Sequence, residues 1–171
     1  CVATTLGFST IDGLVMGTRC GNLDPGVILH LMETKNLSVK DMTRMLYKES
    51  GLLGVSGLSQ DMRTLLASDK PEAAEAVNLF CYRIARELGS LAAAAGGLDA
   101  LVFTGGIGEH AAEVRRRLCL QSEWLGIRVN PEANARHELR ISAGNSSVDV
   151  LVIPTNEEWM MAHHAQTLLA L

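Results

Sequence analysis

The chain has 171 residues, of which 47% are hydrophobic and 20% charged, and its formal net charge is −4. This length is enough for one domain with a hydrophobic core and too short for two domains of ordinary size. The acidic balance argues against a nucleic-acid-binding protein, which would usually carry a basic face. No apolar run approaches the roughly 20 residues of a membrane span, and no basic-then-apolar leader is present.

Cysteine usage favours a reducing compartment. The chain has four cysteines, Cys1, Cys20, Cys81 and Cys119. They form no CxxC pair, and they are too few for disulfides to stabilise a chain of this size. We expect reduced thiols in a cytoplasmic protein, most simply as small buried apolar residues. The chain begins at Cys1, and the residues that follow have the composition of a folded segment rather than of a polar tether. We therefore expect a fragment of a longer polypeptide.

The first third of the chain contains one clear helix start. Residues 1–18 are predicted to form short extended stretches separated by glycines. Asp24 followed by Pro25 is typical of a helix N-terminus, because aspartate accepts from free backbone N–H groups and proline suits the first helical position. The pattern predicts a helix to about Thr34.

A second helix is predicted from Ser38, because Asp41 follows at the spacing of a capping box. Gly51 is expected to end this helix as a left-handed C′ residue. Residues 51–59 are expected to form a glycine- and serine-rich connection, after which Ser59 would cap a short helix. The longest helix is predicted over residues 71–95, where apolar residues recur at three- and four-residue spacing.

Two strand-to-helix units follow. The first is a strand over residues 99–103, the turn Thr-Gly-Gly-Ile-Gly, and a helix from Glu109 to about Leu118. The second is a strand over residues 148–153, the turn Pro-Thr-Asn, and a helix from Glu157 to the end of the chain. The continuous apolar runs predict strands buried on both faces of an α/β sheet that is covered by helices.

The glycine turn of residues 104–108 is a candidate site for a phosphate or a nucleoside. Its glycines let the backbone approach a ligand, and a helix start offers free N–H groups and a positive dipole end. No Lys-Ser/Thr pair follows, so the turn is not a Walker A loop, and it is not a convincing GxGxxG loop. A tight turn without a ligand is the alternative.

The segment 154–158 follows the second strand, at the edge where open α/β sheets bind ligands. A carboxylate at this edge suits Mg²⁺, which prefers oxygen ligands and keeps several waters. The alternative is helix capping, for which Thr155 and Glu158 have the right spacing. His163 and His164 are adjacent in sequence and are expected at the surface.

Arginines form two further features. Arg19 lies in a glycine-flanked segment, and its planar fork suits phosphate oxygens. An ordinary ion pair with Asp24 or another acid is the alternative. The run of three arginines at residues 115–117 is expected to be a solvated helix face, or to pair with Glu113.

Four segments together resemble the acetate kinase family, in this order and with similar spacing: MGTRCGNLDP (16–25), SGLSQDMR (56–63), VFTGGIGEH (102–110) and VIPTNEE (152–158). The resemblance extends over essentially the whole chain. It implies a ribonuclease-H-like α/β domain of the actin/hexokinase/Hsp70-like superfamily, with a mixed sheet covered by helices and its first strands missing. Residues 1–171 would be the C-terminal nucleotide-binding domain of a two-domain enzyme.

The family resemblance also implies an activity. The full-length enzyme would transfer phosphate reversibly from ATP to a short carboxylate such as acetate or propionate, with Mg²⁺, giving ADP and an acyl phosphate. It would be cytoplasmic and homodimeric through this domain, without nucleic-acid or membrane partners. The catalytic aspartate and acyl pocket of the family belong to the N-terminal domain, so this chain alone is expected to be inactive. The alternatives are a non-catalytic ATP-binding module and a kinase with another acceptor, such as butyrate.

The resemblance implies roles for single residues. Arg19 matches the arginine that stabilises the phosphoryl group in transit. The nucleotide-binding set has two parts, a segment beside the adenosine and the glycine segment: Asp61, Met62 and Arg63, then Gly106, Ile107, Gly108, Glu109 and His110. Glu157 matches the magnesium-associated glutamate, and Glu158 is the alternative if the register is off by one. The family usually has Asn where this chain has His110, and the different reach of an imidazole affects nucleotide affinity or base preference.

Overall fold

The computed structural model describes residues 1–169, which contain nine α-helices, one 3₁₀ helix and two β-strands. The helices are α1 (Pro25–Lys35), α2 (Val39–Lys48), α3 (Gly51–Ser56), α4 (Met62–Leu66), α5 (Pro71–Ala95), α6 (Gly105–His110), α7 (Ala112–Gln121), α8 (Pro131–Ala135) and α9 (Glu157–Leu169). The strands are β1 (Ala100–Phe103) and β2 (Asp149–Val152), and the 3₁₀ helix is Glu123–Leu125.

The two strands pair in parallel, with Ala100 opposite Asp149 and Phe103 opposite Val152. An isolated antiparallel bridge joins Arg140 to Leu151 on the other side of β2, so the strand pairing is mixed as expected. Because β1 and β2 run in the same direction, the segments that follow them begin side by side at one edge of the sheet.

Two apolar clusters form the core of the described residues. The first lies where α5 packs against α3, α4 and α7, and its buried members include Leu52, Met62, Leu65, Val77, Phe80, Val114 and Leu118. The second packs around β2 and includes Cys119, Ile127, Ile141, Val148, Val150 and Val152. Phe103, at the end of β1, packs against both clusters and so joins the two halves of the core.

The expectation that both strands are buried on both faces is wrong for β1. Leu101 and Phe103 of β1 face the core, whereas Val102 on the opposite face is 46% exposed. In β2, Val150 is fully buried and Val152 is 5% exposed, but both lie on one face, and Leu151 on the other face is only partly buried. The apolar run in β1 therefore has one face that the described helices leave open.

The predicted helix starts at Asp24 and Ser38 are confirmed, and so is the long helix. The Asp24 carboxylate accepts from the Gly26 N–H at 2.8 Å, and Pro25 is the first residue of α1. Ser38 and Asp41 form both halves of the predicted capping box at the start of α2. The long helix also has its predicted bounds, Pro71–Ala95, and Gly96 ends it in the left-handed conformation.

Other local predictions are wrong. Residues 1–18 contain turns and bends rather than strands. Residues 51–56 form α3 rather than a connection, and Gly51 begins that helix instead of ending α2. The cap of α4 is Asp61, whose carboxylate accepts from the Arg63 N–H at 2.8 Å, and not Ser59.

The expectation of buried cysteines is confirmed for Cys81 and Cys119, whereas Cys1 is exposed and Cys20 is only partly buried. Burial raises the pKa of the Cys119 thiol to about 12. No helix in the described part of the chain is long and apolar enough to span a membrane.

Gly51 fixes the position of the loop that carries Arg19. It has a positive φ of 64°, and a Cβ at this position would lie 2.1 Å from the Met16 carbonyl oxygen. The next two amides, of Leu52 and Leu53, donate to the Met16 and Gly17 carbonyls at 2.9 Å each. The start of α3 is thus bonded directly to the preceding loop, and no side chain fits between them.

We predict that Gly51→Ala destabilises the fold more than Gly57→Ala. Gly57 has nearly the same φ, 62°, but nothing lies within 4 Å of an added Cβ. Its substitution should cost ~1–2 kcal/mol from backbone strain alone. The Gly51 substitution should cost about 1–3 kcal/mol more, because it also forces the loop away. Urea unfolding of both variants measures the difference, and equal losses would contradict the account.

Candidate functional site

The glycine segment and the segment after β2 are joined by one carboxylate. The Glu109 Oε1 atom accepts from the Gly105 N–H at 2.7 Å and from the Thr155 N–H at 2.9 Å. The Thr104 and Thr155 hydroxyls are also hydrogen-bonded to each other. The Thr155 amide, followed by the Gly105 amide, holds the pKa of Glu109 below its usual value. An ionised Glu109 therefore ties the two turns together at the carboxyl edge of the sheet.

The glycine segment is itself a helix. The sequence predicted a turn followed by a helix from Glu109, but α6 begins four residues earlier, at Gly105. The expectation that the helix start offers free N–H groups is wrong for Gly105, whose N–H is taken by Glu109 Oε1 and lies 3.2 Å from Thr155 Oγ1. The glycines nevertheless leave the surface open, because a Cβ on Gly106 would meet nothing within 4 Å.

The structure brings together the two parts of the predicted nucleotide-binding set. A cleft of about 330 Å³ lies between the start of α4 and α6, and it is lined by Gln60, Asp61, Met62, Arg63, Gly106, Ile107, His110 and Ala111. Six of these eight residues belong to the predicted set, although more than 40 positions separate its two parts in sequence. The cleft is partly open to solvent and mostly apolar, which suits a flat aromatic base.

Asp61 and Arg63 form a fixed polar edge of this cleft. The Asp61 carboxylate accepts from the Arg63 Nε at 3.1 Å and from its Nη2 at 2.6 Å. These side-chain bonds lower the pKa of Asp61 to about 2. Met62 between them is only 3% exposed and belongs to the core, so it forms the floor of the cleft while Arg63 stays at its mouth.

Gly108 and Glu109 do not line this cleft. Gly108 packs against the end of β1, where an added Cβ would lie 3.4 Å from the Phe103 carbonyl carbon. It lines a neighbouring cavity of about 530 Å³ together with Thr104, Gly105 and Gly106. Gly106 and Ile107 line both spaces, so α6 forms the wall between them.

Arg19 lies on a tightly bonded loop beside the cleft but does not line it. The Met16 N–H donates to the Arg19 carbonyl at 3.1 Å, and the Thr18 hydroxyl donates to the Tyr47 carbonyl at 2.8 Å. The Arg19 Nη1 donates to the Thr10 carbonyl at 3.2 Å. Within residues 1–169 it makes no ion pair, so the alternative of a bridge to Asp24 is wrong for this structure.

The loop of Arg19 adjoins the cleft through Gly17. A Cβ on Gly17 would lie 3.1 Å from the carbonyl oxygen of Gln60, which is a cleft residue. The loop of Arg19 thus packs against the start of the Asp61–Arg63 segment. The guanidinium itself contacts Thr10 and Met16 through Nη1, and its other donors have no partner in the described residues.

Glu157 and Glu158 are both exposed in the first turn of α9. The predicted capping box of Thr155 and Glu158 is absent, because Asn156 Oδ1 accepts from the Trp159 N–H at 2.9 Å in its place. Among the described residues, no group of three His, Cys, Asp or Glu side chains is arranged to hold a metal ion. A Mg²⁺ ion at Glu157 would therefore need ligands from bound phosphates and water, which is a common arrangement for this ion.

The histidine prediction is confirmed, since His163 and His164 are exposed. Trp159 stacks on His163 with 5.2 Å between ring centroids.

The arginine run differs from its prediction at one position. Arg116 and Arg117 pair with the Glu113 carboxylate, as one alternative proposed. Arg115 is instead fully buried and donates to the Gly108 and Glu109 carbonyls at 2.8 Å each. The sequence signal for it was the spacing of buried Val114, Leu118 and Cys119, which puts position 115 on the inner face of α7.

Comparison with known proteins identifies what this arrangement resembles. Residues 1–163 match the model of the acetokinase family. The acetate kinase of Rhodopseudomonas palustris strain TIE-1 is 64% identical over 165 residues, which are 95% of this chain and 42% of that protein. The acetate kinase of Methylocella silvestris is 52% identical over 168 residues, 98% of this chain and 42% of that protein. The chain thus spans less than half the length of these curated relatives.

Solved structures agree with the sequence matches. The crystal structure of Porphyromonas gingivalis acetate kinase has a TM-score of 0.90 and 40% identity, covering 96% of this chain and 43% of that one. A propionate kinase from Francisella tularensis has a TM-score of 0.87 and 40% identity, covering 92% of this chain and 41% of that one.

We predict that Gly106→Val weakens ADP binding without destabilising the protein. The backbone of Gly106 has no positive φ, and its Cβ direction is open, so the isopropyl group should fill the cleft rather than clash with the protein. We expect the Kd for ADP to rise by about tenfold or more. Isothermal titration of the full-length polypeptide measures it.

Gly144→Val is the matched control for this prediction. Gly144 also has open space around its Cβ direction and no positive φ, but it lies away from the cleft. Its variant should bind ADP as the unmodified protein does. Unchanged ADP affinity in Gly106→Val would show that the ligand does not lie against α6.

Proposed function

Because the chain belongs to the acetokinase family, we propose that it is the nucleotide-binding part of an enzyme that transfers phosphate between ATP and a short-chain carboxylate. The acceptor would be acetate or propionate, the products would be ADP and an acyl phosphate, and the reaction would run in both directions. Residues 1–171 would form the C-terminal domain of the full-length polypeptide. The chain by itself would have no kinase activity.

The observation that carries this proposal is the single cleft between the start of α4 and α6. The segment 61–63 and the glycine segment were assigned to the nucleotide from separate sequence motifs, and both line this cleft. The purine would lie on the apolar floor formed by Met62 and Ile107, with the Arg63–Asp61 pair at the mouth. His110 stands in the cleft wall where family members usually have Asn, so it would contact the nucleotide through one ring N–H.

Arg19 would act on the phosphoryl group in transit. In-line phosphoryl transfer depends mostly on positioning and on stabilising charge at the equatorial oxygens. The Arg19 guanidinium has donors to spare, and its loop is fixed to α3 by the close contact at Gly51. A rigidly placed planar fork is suited to two adjacent phosphoryl oxygens.

Glu157 would associate with Mg²⁺ directly or through water, with Glu158 as the alternative. Its exposed carboxylate belongs to a segment that Glu109 ties to the glycine segment, so the donor fits an ion that is largely liganded by nucleotide phosphates. When bound, the ion would neutralise charge on the nucleotide oxygens. Glu109 keeps this edge of the sheet in place.

The remaining parts of the proposal concern the whole protein. We propose a cytoplasmic homodimer whose interface lies on this domain, without nucleic-acid or membrane partners. The free cysteines fit a reducing compartment, and the acidic net charge argues against a nucleic-acid partner.

The test is expression of the full-length polypeptide and an assay with MgATP, acetate or propionate, and hydroxylamine to trap acyl phosphate. Trapped acyl hydroxamate that requires both MgATP and the acid is expected, and the ratio of the two acids names the preferred acceptor. The isolated 171-residue chain is the control and should give none. ADP binding by the full-length protein without any hydroxamate would instead favour a non-catalytic ATP-binding module.

We predict that Arg19→Ala in the full-length enzyme lowers kcat by about 10³-fold or more, because a donor to the transition state is lost. Arg44→Ala is the matched control, since Arg44 is an exposed arginine on α2 that pairs with Glu49. The control should retain full activity. Steady-state kinetics measures both, and a loss below about tenfold in Arg19→Ala would exclude a transition-state role.

A further inference from the structure

The side chain of Arg115 is a buried cation that the proposed reaction does not use. Its relative exposure is 0%, and it is the largest fully buried side chain in the described residues. Burial of a charge is costly unless the charge is fully hydrogen-bonded. The surroundings of Arg115 therefore indicate what keeps it inside the protein.

Four of the five N–H groups of the guanidinium donate to neutral oxygen atoms. The Nε donates to Asn134 Oδ1 at 2.8 Å, and the two Nη1 bonds go to the Gly108 and Glu109 carbonyls at 2.8 Å each. Nη2 donates to the Asn134 carbonyl at 2.8 Å and also lies 3.0 Å from His137 Nδ1. That ring nitrogen is 2.9 Å from the Glu109 carbonyl oxygen as well, and it can form only one of these two bonds. Within residues 1–169 no carboxylate pairs with this side chain.

The bonds to Gly108 and Glu109 lie at a break between two helices. The backbone leaves helical geometry at Ala111, with φ −100° and ψ 79°. The carbonyls at the end of α6 need donors, and a cation at a helix C-terminus also interacts favourably with the helix dipole. Arg115, near the start of α7, supplies both the hydrogen-bond donors and the positive charge. It therefore stabilises the break between α6 and α7.

The other side of the guanidinium is anchored to α8. Asn134 is 4% exposed, and its Nδ2 donates to the Ala112 carbonyl at 2.9 Å while its Oδ1 accepts from Arg115. Asn130 caps the start of α8 by accepting from the Glu132 and Ala133 N–H groups. Arg115 thus links the end of α6 to a separately anchored helix.

We propose that Arg115 is a positioning residue for the nucleotide site, acting through the carbonyls of Gly108 and Glu109. It holds α6 at an angle that turns Gly106 and Ile107 toward the cleft and the Glu109 carboxylate toward Thr155. Arg115 touches no ligand. The inference rests on the proposed function only in naming the ligand as an adenine nucleotide.

The test compares Arg115→Met with Arg116→Met in the full-length polypeptide. Methionine keeps an unbranched side chain of similar reach but has no donors, and Arg116 is the adjacent exposed arginine on the same helix. Two quantities are measured: the Kd for ADP by titration calorimetry, and amide hydrogen exchange at residues 107–111 without ligand.

In Arg115→Met we expect exchange at residues 107–111 to accelerate and the Kd for ADP to rise by about tenfold to a hundredfold. Arg116→Met should change neither quantity. A merely structural role of Arg115 would lower the melting temperature while the folded protein kept its ADP affinity. That result, or unchanged exchange at residues 107–111, would overturn the inference.

Arg115→Lys keeps the test decisive if Arg115→Met does not fold. Lysine retains the buried charge but has three donors and no planar guanidinium, so it cannot satisfy the four acceptor oxygens. A raised Kd in a variant with a normal melting temperature supports the inference, and an unchanged Kd overturns it. If the unmodified protein binds no ADP, the proposed function and the nucleotide part of the inference both fail. The exchange measurement still decides whether Arg115 holds α6.

Discussion

A helix that ends inside a protein leaves backbone carbonyls that must find donors, and the end of α6 meets this constraint with a buried guanidinium. Arg115 reaches back from the next helix to the carbonyls of Gly108 and Glu109. The chain can therefore change direction at Ala111 while these two carbonyls stay hydrogen-bonded. The change of direction leaves α6 as a short, separate wall between two cavities, with open glycine surface toward the cleft.

Contacts to the backbone also hold the rest of the candidate site together. Glu109 uses one oxygen to tie the turn after β1 to the turn after β2. Gly51 lets the loop of Arg19 lie directly on the start of α3. The two turns thus meet at one edge of the sheet, and the loop of Arg19 packs against Gln60 at the border of the cleft. Phosphoryl transfer needs rigid placement of a few donors more than it needs reactive side chains, so such an arrangement suits the proposed chemistry.

The sequence predicted several features that depend on local chemistry. The capping signals at Asp24 and Ser38 and the long apolar periodicity of α5 needed only neighbours in sequence, and the structure confirms them. Features that depend on tertiary contact were missed. Gly51 was correctly expected to be left-handed, but its role is to admit another loop, which no local pattern reveals. The burial of Arg115 was missed because a run of charges suggested solvent, although the spacing of Val114, Leu118 and Cys119 marks position 115 as part of the inner face of α7. The grouping of Asp61–Arg63 with the glycine segment came from family resemblance, since local spacing does not relate residues 40 positions apart.

The central claim is that an adenine nucleotide binds in the cleft between the start of α4 and α6. The most direct test is a crystal structure of the full-length polypeptide with ADP and Mg²⁺. The account predicts the purine against Ile107 and Met62, with Arg63 at the mouth of the cleft and the phosphates directed toward the loop of Arg19. ADP bound elsewhere, with this cleft empty, would contradict it.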